Sequence, residues 1–477
     1  MFNAVLEGND RGVTATLEQA PCMAACGSLH TFAVTEAGDL WAWGAGDDAQ
    51  LGLGLRLPQC LPAPVNRQAL GGAGVVVVSA GCQHSAACTA DGTLWTWGDG
   101  ANGRLGHGHT KAQVFPTPLP VEAFGGSLVQ MVACGAEHVL AIADGGALWA
   151  FGCGHDGQLG LGDADDRFVP TRCDLGGSAS AAFVAAGEDN SVAVSRKGVV
   201  FSWGKGSWGK LGHGDCNARL FPTEIDHDFD EEVVTVACGR DHTAAVTIGG
   251  CLFAWGRGTG FGQLGLGNCN DTAVPMLVGS DETFGSGVLT IACGSFHTLA
   301  VTQAGALFAW GLGEKGRLGH GDDSDKHVPT RVCFDGEITV TSVAAGDEHS
   351  VVVTADGKLY TFGMACLETD DSDSDDAAAT TIRIPTGLGH GDMEHKLRPC
   401  LLDPEVFASA HIGRCRRIPR AHALAFAMCT HERLGQECVF AGLLAELLQR
   451  IAVQAWPQAR VALSEGMVRL LGGGDIS

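Results

Sequence analysis

Cys26-Gly-Ser-Leu-His-Thr-Phe-Ala-Val-Thr35, followed by Leu40-Trp-Ala-Trp-Gly44, is a stretch that the chain repeats with small changes seven times. It returns as Gly81-Cys-Gln-His84 with Leu94-Trp-Thr-Trp-Gly98, and then with closing glycines at Gly152, Gly204, Gly256, Gly311 and Gly363. The leading glycines Gly27, Gly81, Gly135, Gly187, Gly239, Gly294 and Gly346 are 52 to 55 residues apart, and each precedes its closing glycine by 17. An interval held through seven copies marks one structural unit, repeated.

Each unit reads as strands. Val-Ala-Cys-Gly, His-Thr-x-Ala-Val-Thr and Leu-Phe-Ala-Trp-Gly are short, rich in β-branched and aromatic residues, and bounded by turns. A fourth segment, such as Val169-Pro-Thr-Arg172 or Phe221-Pro-Thr-Glu224, carries a Pro that cannot donate to a ladder, so it should edge its sheet. Four strands make a blade, and one blade cannot cover both its faces. Neighbours must stack and the ring must close, which predicts an all-β, seven-bladed β-propeller over residues 1–402. The leading Gly is expected at a positive-φ turn. The repeated His (His30, His84, His138, His242, His297, His349) is expected to satisfy backbone groups at that turn.

Composition limits the function. With 54 acidic and 30 basic residues the net charge is −24, which argues against binding the nucleic-acid backbone or an anionic membrane surface. A 45% hydrophobic content excludes global disorder. No apolar run reaches the length of a membrane span, and the N-terminus lacks the pattern of a signal peptide. A cytoplasmic or nuclear protein is expected. The 19 cysteines are odd in number and form no CxxC pair, so they read as small buried residues in a reducing compartment, with no metal site and no cofactor.

Several motifs tempt and fail. Gly98–Gly103, Gly152–Gly157, Gly204–Gly209 and Gly311–Gly316 match GxGxxG. None opens a helix in a βαβ unit, so no pyrophosphate site follows. No Gly-x-Ser-x-Gly elbow occurs. Glu137, Asp189, Asp241 and Glu348 beside the repeated His read as polar turn residues on one rim.

The motifs Cys-Gly-x-x-His-Thr, Trp-Gly and Gly-x-Leu-Gly-x-Gly resemble the regulator of chromosome condensation family over residues 13–402. That resemblance implies a seven-bladed propeller closed by strands from both termini, with Val13–Leu17 near Leu397–Leu402. Family members include a nuclear guanine-nucleotide exchange factor for Ran, a plant UV-B photoreceptor, domains of ubiquitin ligases and interaction scaffolds. In the exchange factor, acidic and His residues of the Gly-x-Asp-His turn face the GTPase. The matching positions are Glu188 and Asp189, Asp241 and His242, and Gln83 and His84. Copy four carries Asn190 in place of His. That exchange factor also inserts a wedge, whereas in copies one to six the Leu-Gly glycine comes only 8 or 9 positions after the Trp-Gly glycine. The photoreceptor's clustered Gly-Trp-Arg-His-Thr turns are replaced by Gly239-Arg-Asp-His-Thr and Gly294-Ser-Phe-His-Thr.

Departures from the repeat mark candidate sites. Trp208 lies in the loop Gly206-Ser-Trp-Gly-Lys210, beside Lys205 and Lys210, and reads as a candidate interface anchor. Copy seven takes 26 residues from Gly363 to Gly389. Its insertion, 364–386, includes Glu368-Thr-Asp-Asp-Ser-Asp-Ser-Asp-Asp376, a charge density that predicts a disordered loop. Ser372 and Ser374, set among acids, are candidate phosphosites. Residues 403–477 change period to an amphipathic helical stripe (Phe440, Leu443, Leu444, Leu447, Leu448, Ile451) and predict a small α-helical extension. The expected function is a non-catalytic protein–protein interaction scaffold, with exchange on a small Ran-like GTPase as the alternative. The candidate partner-binding residues are Glu188, Asp189, Asp241, His84 and Trp208.

Overall fold

The computed structural model describes residues 21–403, apart from 178, 280, 370–381 and 386, together with Phe407. Val13–Leu17, Ser372, Ser374 and the rest of the expected helical extension lie outside the described residues.

Each repeat forms one four-stranded antiparallel sheet whose strands follow in chain order. Blade 1 is Pro21–Cys26, His30–Thr35, Leu40–Gly44 and Gln59–Pro64, and blade 7 is Val340–Ala345, His349–Thr354, Leu359–Gly363 and Lys396–Leu401. The first strands of successive blades touch one another around the axis, blade 7 touching blade 1, so the ring is closed. The expected Pro-containing segment is the outer strand throughout, and the pairing slips beside it, as between Ala42 and Gly44. That slip accommodates a residue without an N–H. Every second strand is buried along its whole length, as His30–Thr35 is, because both faces of each blade are covered. Seven apolar clusters result, one at each seam. Between blades 1 and 2, for example, Phe32, Leu40, Leu51, Val78, Trp95 and Trp97 pack together.

The two repeated glycines play different parts. The closing ones have positive φ, from +96° at Gly204 to +113° at Gly363, a conformation suited to Gly. The leading ones do not, contrary to the expectation from sequence. A Cβ on Gly81 would lie 2.5 Å from the carbonyl oxygen of Gly135 in the next blade and also strike the His84 ring. The same close approach to the next blade's glycine recurs around the ring, ending with Gly346 against Gly27. These glycines let seven inner turns meet at the axis.

The repeated His also acts across the seam and not on its own turn. His30 Nε2 lies 3.0 Å from the Ser85 hydroxyl of blade 2, which donates to the carbonyl of Gln50 in blade 1 at 2.8 Å. Trp97 Nε1 donates to that same carbonyl at 2.8 Å. With the hydroxyl proton given to the carbonyl, the imidazole must donate, which fixes a proton on Nε2, and burial keeps the ring neutral. The pattern repeats at His138–Ser191, His242–Thr298, His297–Ser350 and His349–Thr31. At the closing seam, Gly387 takes the role of Gln50, accepting from Thr31 at 2.9 Å and Trp43 at 2.7 Å. Among the described residues, then, closure uses the same His–hydroxyl–carbonyl contact as the seams that follow blades 1, 3, 5 and 6, and blade 7 takes all four of its strands from its own repeat. Phe407 adds to that seam, its ring 5.3 Å from Trp41.

The insertion in copy seven is structured at both flanks. Cys366–Thr369 pairs with Ile382–Pro385 as a two-stranded antiparallel ribbon, where the charge pattern alone had predicted a loop. The acidic centre lies outside the described residues.

Candidate protein-binding face

Because strands alternate in direction, turns from first to second strand and loops from third to outer strand emerge on one face of the ring. The candidate residues Glu188, Asp189, Asp241 and Trp208 come together there, on blades 4 and 5. At the axis of this face is a cavity of about 160 Å³, bordered by the leading glycines with Glu188, Arg240, Ser295 and Asp347 among its walls.

The carboxylates on this face are already paired. Asp241, 8% exposed, lies 3.4 Å from Lys210 Nζ and 3.4 Å from Arg257 Nη1. The Lys210 side chain is itself buried and also donates to the Arg240 carbonyl at 3.0 Å. Arg104 and Arg317 occupy the same repeat position in blades 2 and 6, and each faces an acid of the following turn, Glu137 at 2.9 Å and Glu348 at 3.9 Å. Glu188 pairs with Arg240 at 3.0 Å. Burial pushes the Glu188 carboxyl above its ordinary value, and Arg240 pulls it back. Asp189 accepts from Lys205 at 3.1 Å, a bond that raises the pKa of that ammonium. Asp241, Glu137, Glu348 and Glu188 tie neighbouring blades to one another, while Asp189 pairs within blade 4.

His84 is fully buried beneath the rim, so a direct contact with a partner is excluded in this conformation. Burial, with Arg104 beside it, holds its pKa well below the ordinary value.

Trp208 is exposed, at 44%. Its φ is +62°, a left-handed conformation that costs a bulky residue about 1–3 kcal/mol. Asn102 and Lys315 hold the same position in blades 2 and 6 with φ of +55° and +60°, so the fold sets the backbone and does not require an indole. Arg257 lies over the ring, its Cζ 4.7 Å from the centroid, a cation–π contact that offsets part of the strain. Arg257 and Arg240 also face Phe296, at 6.0 and 5.6 Å, and Phe296 meets Phe261 edge-on at 5.4 Å. Trp208, Arg257, Arg240, Phe296 and Phe261 form one aromatic and cationic patch across blades 4 to 6. The sequence reading found only Trp208. Phe296 had left a signal, being the one aromatic residue among the seven Gly-x-x-His or Gly-x-x-Asn turns, but the arginines become partners only once blades 4, 5 and 6 are side by side.

Known proteins place the chain among relatives. A profile for the RCC1 repeat matches residues 37–88, 91–142 and 145–194, and one for the RCC1-like domain matches 177–413. The ultraviolet-B receptor UVR8 of Arabidopsis thaliana is 35% identical over 338 residues, covering 71% of this chain and 75% of the receptor. The chain belongs to the RCC1 repeat family. Human HERC2, named an E3 ubiquitin-protein ligase, is 33% identical over 359 residues, but this chain spans 7% of its length. Among solved structures, human WBSCR16 superposes with a TM-score of 0.63 at 29% identity, over 71% of this chain and 88% of that one. Prp20p of Saccharomyces cerevisiae gives 0.60 at 25% identity, over 69% and 81%. Both neighbours share the propeller that the repeat spacing implies.

Proposed function

We propose that this RCC1 repeat protein is an interaction scaffold that binds a protein partner through the patch of blades 4 to 6, with Trp208 as the anchor. The observation that carries the reading is an exposed indole in a strained conformation where two other blades use Asn and Lys. A rigid aromatic stacked with one Arg side chain, Arg257, beside a second at Arg240 matches the composition of interface hot spots. The reading invokes no hydrolytic or redox step, and it sets the protein in the cytoplasm or nucleus, where thiols stay reduced; no disulfide joins two of its 16 described cysteines.

The yeast neighbour's structure was described together with its binding to Gsp1p and histones, which supports a protein partner in general. Exchange on a small GTPase is the less favoured reading, because Glu188, Asp189 and Asp241 are engaged within the ring and His84 is buried. The test is Trp208→Asn, which installs the residue blade 2 uses at this position. Partners captured from lysate by the wild-type chain should be lost by the variant while its melting temperature stays level or rises. Partners retained by Trp208→Asn would refute the patch. A small GTPase captured with EDTA and absent with magnesium, and insensitive to Trp208, would favour exchange.

A further inference from the structure

We propose that Cys153, His155 and Asp166 form an open site for a zinc-like divalent cation on the rim of blade 3. Among the described residues they are the one group of three or more Cys, His, Asp and Glu donors whose ligand atoms all lie within 4.8 Å of one another. Cys153 Sγ is 3.5 Å from His155 Nδ1. A tetrahedral ion bound by thiolate and imidazole at ordinary lengths sets those two atoms about 3.6 Å apart. Asp166 Oδ1 is 3.7 Å from the other ring nitrogen and accepts the Gly154 N–H at 2.9 Å.

The fold supplies only part of this cluster. Asp271 and Asp325 accept the N–H of Gly258 and Gly313 in the same way, so the carboxylate belongs to the blade loop. The thiol and the imidazole do not. At the Cys153 position other copies have Ala45, Asp99, Lys205, Arg257, Leu312 and Met364, and no other copy has His at the 155 position. A soft sulfur, an imidazole and one carboxylate select zinc or cobalt over magnesium or calcium.

The surroundings favour a cation: the carboxylates of Asp166, Glu137 and Asp189 all place negative charge around the Cys153 sulfur, and an ion bound there would hold the thiolate. Cys153 is 5% exposed and the His155 side chain 70% exposed, so the ion would rest against the blade with its remaining position open to water.

The experiment titrates Co²⁺ into the reduced, metal-free full-length protein. Binding should produce sulfur-to-cobalt charge transfer in the near ultraviolet and tetrahedral d–d bands at one equivalent, both removed by Zn²⁺. Cys153→Ser should abolish the charge-transfer band, and His155→Ala should weaken binding at least about tenfold. Zinc should raise the melting temperature of the wild type but not of Cys153→Ser. Absence of the bands at millimolar Co²⁺ would overturn the proposal, as would bands unchanged in both variants, which would assign them to other cysteines. If Cys153→Ser does not fold, the exposed His155 supplies the deciding variant.

Discussion

His84 is, among the described residues, the one repeat histidine with no partner on either ring nitrogen. The cause is Val139, which stands where Ser85, Ser191, Thr243, Thr298, Ser350 and Thr31 offer a hydroxyl to the other seams. Val139→Thr changes shape little and supplies an acceptor for His84 together with a donor for the Arg104 carbonyl. It should stabilise the protein by about 1 kcal/mol, the usual net worth of a buried hydrogen bond. A urea titration decides this, and a lowered midpoint would show that His84 relies on something other than a missing hydroxyl. The rim acids separate by the same logic. Asp241→Ala leaves the buried Lys210 ammonium without its carboxylate and should cost about 3–5 kcal/mol. Asp189→Ala releases a half-exposed Lys205 and should cost under about 1 kcal/mol. Equal losses from the two would contradict the burial of the Lys210 pair.

At the level of the turn and strand, the leading and closing glycines are required for different reasons, and substitution can tell them apart. Gly81→Ala drives a methyl into the Gly135 carbonyl of the next blade. It should prevent folding or cost well over about 3 kcal/mol, since neither of two opposed backbones can yield. Gly126 has a φ of +83° with open space around it, so Gly126→Ala carries only the left-handed penalty, about 1 kcal/mol. Thermal melts of both variants check the contrast. These elements also show where the sequence was legible. The constant 17-residue interval, the Pro-marked outer strand and the core tryptophans could be read from one copy laid over another, because they express what a blade does for itself. The roles of Gly81 and His30 could not, because each acts on a residue 54 or 55 positions away that only ring geometry brings near. The Arg257–Trp208 contact was hidden for the same reason. The ribbon Cys366–Thr369 and Ile382–Pro385 was hidden differently, its short apolar segments outweighed by the run of acids between them.

The whole ring carries a pH response that no single blade would. His138, His242 and His349 have pKa values lowered by burial to about 4, and His30 to about 3. In the unfolded chain the same rings titrate near about 6.5. The folded state therefore holds them neutral, and protonation favours unfolding. Their contribution is complete above about pH 6.5 and is lost progressively as pH falls from there towards about 4, each ring giving up about 1.4 kcal/mol per pH unit. Because all four serve seams of one closed ring, the losses fall on a single cooperative transition and sum to several kcal/mol. The surface carboxylates act in a lower window. Asp215, held near 2 by Arg219, gives up its contribution only as pH falls below about 3.8. The protein should accordingly lose most of its stability between pH 6.5 and 4.5, above the window in which Asp215 protonates. Urea midpoints at pH 7.5, 6, 5 and 4.5 measure that decline. His138→Asn, which copies the residue of blade 4, should lower the number of protons taken up on unfolding by one and flatten the slope. A midpoint that holds steady down to pH 4.5 would mean that the seams accommodate charged imidazoles, and the neutral His–hydroxyl–carbonyl contact would then not be what closes the ring.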